Sequence, residues 1–243
     1  ILAPPPLQTS ITEPNDDRAA GVLVGIASAI VLFGAVSAFG GVVLGGVVEE
    51  KTTAIIELLL ARLRAPQLLA GKVIGIGIVA LLQLLVAVVA GLAALLISGS
   101  SIPAEIWIAV PTVVLWFLGG FALYSTLYAL AGSFVTRQED AQAAGMPITL
   151  AVMAPYLLVC VFASNPDSTA ATIASMIPPF APLLMPLRIA TGAAEAWQVA
   201  VAVILLAITI VVVLRVAAAI YARSLLQRGA RISWRQALRL HSA

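Results

Sequence analysis

Apolar residues run along this chain in stretches longer than 20 positions, and the short segments between them carry nearly all the charge. A helix rising 1.5 Å per residue needs about 20 apolar residues to cross the hydrocarbon core of a bilayer. Five stretches meet that length, approximately Ala19 to Val48, Leu68 to Ile97, Ile106 to Gly132, Ala143 to Ala163 and Trp197 to Ala219. Barrel strands would read as segments of about 10 residues with alternating polarity, so the predicted elements are helices. The expected fold class is all-α, a polytopic transmembrane helix bundle with five spans.

Composition narrows the class further. Of 243 residues, 62% are hydrophobic and only 10% charged, and the mean hydropathy is +1.10. An ordinary soluble domain is about 45–50% apolar and about 25% charged, so a soluble globular protein is excluded. Disorder and a nucleic-acid module are excluded too, because the basic residues lie between long apolar runs. A single cysteine, Cys160, excludes a disulfide-stapled secreted domain.

Orientation follows from Lys and Arg, which are retained on the cytoplasmic side. One set of connections holds Lys51, Arg62, Arg64, Lys72, Arg137 and the tail residues Arg223, Arg228, Arg231, Arg235 and Arg239. The opposite set holds only Arg18 and Arg188, beside Glu13, Asp16, Asp17, Glu105, Asp167 and Glu195. The chain is therefore expected to be N-out/C-in, a multi-pass protein of the cell membrane. Trp107 and Trp197 then fall at the outer interface, where indoles are favoured. Residues Ile1 to Ala20 are Pro-rich, with no initiator Met and no signal-peptide apolar region. The expectation is that this is the C-terminal part of a longer protein with at least one more N-terminal span.

Away from the span edges there is no Asp, Glu, Lys or His, and Arg215 sits within about two turns of the inner end of the last span, where it can snorkel. The lone histidine, His241, is in the tail. No His/Cys cluster has metal-ligand spacing, no G-x-S-x-G is present, and no Gly-rich loop ends in Lys-Ser/Thr. No catalytic, cofactor-binding or metal-ligating residues are expected, and a proton- or ion-coupled carrier is disfavoured. Uphill transport would draw its energy from another polypeptide. Gln83, Ser28, Ser37, Tyr124, Ser125, Thr126 and Tyr128 either line a substrate path or make interhelical hydrogen bonds. Small residues four apart, Gly21/Gly25, Gly34/Ala38 and Gly41/Gly45, mark close helix packing within the chain or across a dimer.

The segment Glu49 to Lys72 connects the first two spans on the cytoplasmic side and reads as an amphipathic helix. At 100° per residue, Ile55, Ile56, Leu59, Leu60 and Leu63 cover one arc, while Thr53, Glu57, Ala61 and Arg64 form the opposite stripe. Pro66 ends it or starts the next span. An apolar face too short to span lies on the membrane, on its own bundle or in a groove of a partner. Between the last two spans, residues 164–196 are too long for a simple connection and too Pro-rich for one straight helix. They are expected as one or two short helices in the outer interface, packed on the bundle, either capping a translocation path or serving structure alone. Arg188 there is placed to pair with Glu195 or a lipid phosphate. The tail from Tyr221 carries arginines at helical spacing beside Ile232, Trp234 and Leu238, which fits adsorption to an anionic leaflet or contact with a partner.

Two motifs carry a resemblance. Glu49-Glu50-Lys51-Thr52, then Ile56-Glu57-Leu58-Leu59, Pro66, and Leu69-Ala70-Gly71-Lys72 resemble the coupling-helix segment of ABC-type export permeases, most nearly the sodium-efflux (NatB-like) branch. Pro178-Pro179-Phe180-Ala181-Pro182 with Met185-Pro186-Leu187-Arg188 resemble that branch's outer segment before its last span. The resemblance covers roughly residues 19–222 and departs from it at Ala54, where relatives often carry a basic residue. It implies an exporter's transmembrane subunit of six helices, paired with a second permease subunit and with ATPase subunits that bind ATP and Mg, this chain binding no cofactor itself. It implies that residues 1–18 end a missing extracytoplasmic domain, that 19–222 form the permease domain and that 223–243 form a basic tail. The ATPase-coupling residues would be Glu49, Glu50, Lys51, Thr52, Glu57, Arg62 and Arg64. The family name suggests sodium as cargo, yet spans without a carboxylate offer poor ligands for a hard cation, so a hydrophobic or amphiphilic cargo is expected. A secondary carrier and a non-transporting membrane protein remain the alternatives.

Overall fold

The computed structural model describes residues 16–52, 65–97, 106–135 and 137–226. They form seven α-helices and one short 3-10 turn, with no strand among them. The helices are α1 (Asp16–Thr52), α2 (Ala65–Ile97), α3 (Ile106–Phe134), α4 (Ala141–Phe162), α5 (Thr169–Met176), α6 (Ala181–Ala190) and α7 (Ala196–Leu226). The 3-10 turn Gln138–Asp140 leads into α4. Helices α1, α2, α3, α4 and α7 are each long and apolar enough to cross a membrane, in agreement with the five stretches read from the sequence. At 37 residues, α1 is about 55 Å long, so its ends stand beyond a hydrocarbon core of about 30 Å.

Helix α3 is the axis of the bundle. It packs most extensively on α1 and α7 and also touches α2, α4 and α6. Its apolar window is 56% buried, against 11% for that of α7. The cause lies in its side chains: Trp116, Phe117, Phe121, Tyr124 and Tyr128 are all buried, and they need small neighbours. Gly40 of α1 is such a neighbour, and Gly120 gives α3 itself a small face for α1 and α6. A Cβ at Gly40 of α1 would fall on the Tyr128 ring, and one at Gly120 would lie 2.6 Å from Pro182 and 2.9 Å from Leu32. Between helices surrounded by lipid, close van der Waals packing of this kind holds the bundle together, because leaving lipid for a protein neighbour gains no hydrophobic energy. The outer faces keep exposed apolar side chains, among them Ile74, Leu82 and Val86 on α2 and Ile204, Ile208 and Val212 on α7.

The outer segment is a pair of short helices packed on the bundle, as expected, and α6 is the more buried of the two. It is wedged against α1, α3 and α4, with every residue from Ala181 to Arg188 buried. Two glycines of α1 open that slot: a Cβ at Gly21 would strike the Ala190 carbonyl, and one at Gly25 would sit 2.5 Å from the Leu187 Cα. Only the start of the expected coupling segment lies among the described residues. Residues 49–52 are the last turn of α1, whereas 53–64, including Glu57, Arg62 and Arg64, lie outside the described residues, as do 1–15 and the tail beyond 226.

Candidate functional site

The charged ends of the spans meet at two poles. At one pole the end of α1, the start of α2 and the end of α7 converge on Glu50. Its Oε1 accepts from Lys72 Nζ at 2.7 Å and its Oε2 from the Tyr221 hydroxyl at 2.5 Å. Gly46, one turn earlier on α1, leaves the space through which Lys72 passes, since a Cβ there would lie 2.9 Å from Nζ. Beneath them Val43, Val47, Leu69, Ala129, Ala217 and Ala218 form a closed apolar floor. Glu49 is exposed, and Lys51 and Thr52 complete the last turn of α1. Arg137 pairs with Glu139 at 3.1 Å in the exposed turn before α4.

From this pole a groove of about 530 Å³ runs up between α1 and α4, with Tyr128 of α3 in its wall. Its polar lining comes from Ser37, Gln138, Gln142 and Thr149, and its apolar lining includes Leu44 and Met146. The Tyr128 and Thr149 hydroxyls share a hydrogen bond of 2.7 Å, and Thr149 donates on to the Gly145 carbonyl at 3.3 Å. The groove therefore offers neutral oxygens and amides beside hydrocarbon, and no cluster of three or more His, Cys, Asp or Glu occurs among the described residues. A Cβ on Gly34 or Gly41 of α1 would meet nothing within 4 Å, and Gly41 is itself part of the groove's wall.

At the other pole Arg188 organises the outer segment. Its Nε donates to the Pro166 carbonyl at 3.1 Å, Nη1 to Ser175 Oγ at 2.8 Å and Nη2 to the Ala193 carbonyl at 2.8 Å. One guanidinium thus ties the loop before α5, α5 itself and the loop after α6, the last of which turns at Gly192 with φ +72°. The expected pairing with Glu195 or a lipid phosphate is not what holds it: Arg188 is 2% exposed and bonded to neutral oxygens, while Glu195 accepts from the Trp197 indole. Burial pushes the guanidinium below its ordinary pKa, opposed by the nearby Asp167 and Glu195 carboxylates. Asp167 itself pairs with Arg18 at the start of α1. The Tyr124 hydroxyl donates to the Pro179 carbonyl at 2.5 Å, pinning the turn of Pro178, Pro179 and Phe180 to α3, while Pro182 and Pro186 sit inside α6.

The seven polar residues read as path candidates separate: Ser37 joins Tyr128 on the groove, while Ser28 and Thr126 are buried and donate to the Gly25 and Ala122 carbonyls of their own helices. Tyr128 lines the groove, Tyr124 and Ser125 are buried in the core, and Gln83 is exposed on α2 away from the groove. Ser125 Oγ, like Trp116 Nε1, is buried with no partner. Sequence reasoning missed Tyr221, Thr149, Gln138 and Gln142, because nothing in a single span shows which helix faces it. The one usable signal was Gly46, small and four residues before Glu50.

A bundle of uncharged spans with its charges gathered at two poles is the physical setting for the comparisons. No solved structure matches the chain. The curated relatives include the uncharacterised protein YhaP of Bacillus subtilis (strain 168), 32% identical over 224 residues that cover 86% of this chain and 54% of YhaP. They also include the uncharacterised protein MJ1024 of Methanocaldococcus jannaschii, 30% identical over 166 residues that cover 68% of this chain and 40% of MJ1024. The chain thus spans about half the length, or less, of the curated relatives it matches. The model of the ABC-2 family transporter proteins matches residues 1–219, from before α1 to within α7 and short of Tyr221, and the chain belongs to that family.

Proposed function

We propose that the chain is a permease subunit of an ATP-driven exporter, inserted N-out/C-in in the cell membrane, moved by a separate ATPase and paired with a second permease. The observation that carries this reading is the family match over residues 1–219. The spans support it physically, since away from their ends they hold no Asp, Glu, Lys or His with which to couple transport to an ion gradient. ATP and Mg belong to the partner. The interval 53–64, with Glu57, Arg62 and Arg64, is the segment that would receive the ATPase's closing motion, together with Glu49, Lys51 and Thr52 at its start. A rigid-body shift of the helices attached to it then follows.

The groove between α1 and α4, with Gly41 in its wall, is the proposed path, and the open position of Gly34 on α1 marks the proposed face toward the second permease. Its lining of hydroxyls, amides and hydrocarbon suits a hydrophobic or amphiphilic cargo better than sodium, which prefers anionic or carbonyl oxygens. The sodium-efflux branch rests on the two sequence motifs alone. Affinity purification of the full-length protein from its own membranes tests the reading. An ATPase bearing a P-loop is expected at about one per permease, and Glu57→Arg is expected to reduce its recovery roughly tenfold while membrane insertion is unchanged. Absence of any ATPase under conditions that keep the permease assembled overturns the exporter reading. Saturable, ATP-dependent sodium flux in vesicles would overturn the cargo preference alone.

A further inference from the structure

Two carboxylates stand in the last turn of α1, just before the interval 53–64, and they differ in burial. Glu49 is exposed, but both oxygens of Glu50 are engaged inside the bundle, one by Lys72 at 2.7 Å and the other by Tyr221 at 2.5 Å. The side chains of Lys72 and Glu50 are 17% and 23% exposed, and Tyr221 is 1% exposed, so this is a largely enclosed node rather than a solvated surface pair. The contact is prepared on every side: Gly46 makes room for the lysine stem, and an apolar floor drawn from α1, α2, α3 and α7 supports Tyr221. Charge-assisted hydrogen bonds sheltered in this way are stronger and more directional than exposed ones.

Position gives the node its meaning. Glu50 and Lys72 stand at the two ends of the interval that contains residues 53–64, and Tyr221 belongs to α7, which is far away in sequence. A loop whose two ends are free absorbs a push by bending at its ends. Here the ends are bonded to each other and to α7, so displacement of the interval moves α1, α2 and α7 together. We infer that Glu50, Lys72 and Tyr221 form a clamp that transmits motion of the 53–64 interval to α7, with Lys72 and Tyr221 as positioning residues. This inference rests on the exporter reading and adds to it the route by which the last helix is moved.

The test uses the full-length permease with its ATPase, reconstituted in liposomes of the lipids with which it purifies, using a fluorescent amphiphile as the transported probe. Tyr221→Phe keeps the ring and removes one bond; Lys72→Met keeps the stem and removes the other. Both are expected to retain the ATPase and its hydrolysis, while transport per ATP falls by about fivefold or more, the lower end of ordinary coupling between sites. The double change Glu50→Lys with Lys72→Glu is expected to recover at least half of the transport lost in Lys72→Met, which ties the loss to the ion pair rather than to the lysine stem. A second readout needs no ATPase: spin labels at Gln67, in the first turn of α2, and Val216 of α7 are expected to give a narrow distance distribution in the parent and a broad one in Lys72→Met. Unchanged transport per ATP in both single variants, or an unchanged distance distribution, overturns the clamp and leaves the exporter reading standing. Failure of the parent permease to bind any ATPase strikes that reading instead, and the clamp falls with it.

Discussion

At the scale of single residues, glycines decide where helices touch. Gly21, Gly25, Gly34 and Gly41 read alike in the sequence, as small residues spaced along one helix, yet the structure divides them. The first two seat α6 against α1, whereas Gly34 and Gly41 meet nothing of this chain within 4 Å. Spacing tells that a face is small; only the fold tells which neighbour, if any, uses the space. Gly25→Ala forces a Cβ to within 2.5 Å of the Leu187 backbone, where no side-chain rotation relieves it. It is expected to destabilise the detergent-solubilised monomer by about 1–3 kcal/mol. Gly41→Ala is expected to be neutral or to stabilise by up to about 1 kcal/mol, since it removes backbone freedom without a clash. Thermal unfolding of the two variants side by side checks the contrast; equal midpoints would refute the seating of α6.

At the scale of elements, the short helices of the outer segment were legible in outline and not in depth. The prolines around Phe180 and the apolar run to Ile189 foretell a short helix, but its burial depends on Gly21, Gly25 and Gly120 on two distant helices. Arg188 was read as an interfacial cation for the same reason. Its true partners are two carbonyls and a serine hydroxyl, which leave no residue-type signature. The consequence is measurable. Arg188→Met strands Pro166 O and Ala193 O without their donor and is expected to cost at least about 2 kcal/mol, since each hydrogen bond to a charged group is worth about 1.5–3 kcal/mol. The loss is expected to be confined to the outer segment, so hydrogen exchange should accelerate across residues 164–195 while α2 and α3 stay protected. Arg188→Lys, with one ammonium in place of a three-way fork, is expected to fall between the two. Exchange that rises equally in all helices would make Arg188 a general core residue rather than the organiser of this segment.

At the scale of the whole molecule, the bilayer makes the sequence readable, because its thickness sets the length of every span and its apolar interior drives charge to the ends. That is why all five spans were found, and why the charged and aromatic residues of the described loops gather at two poles. What single spans could not reveal is which helices adjoin, since lipid and protein neighbours favour nearly the same side chains; hence the central place of α3 and the Tyr221 contact emerge only from the fold. The orientation of the two poles is the remaining expectation on which the exporter reading depends. Positive residues crowd the pole of Lys72 and the interval 53–64, so that pole is expected to face the cytoplasm. With Cys160 replaced by Ala, single cysteines at Asn165, in the exposed turn after α4, and at Glu139, in the exposed turn before it, report the two sides. A membrane-impermeant maleimide added to intact cells is expected to label Asn165→Cys at once and Glu139→Cys only after the membrane is opened. The reverse pattern would put the interval 53–64 outside, beyond the reach of any ATPase in the cytoplasm, and the exporter reading would fall with it.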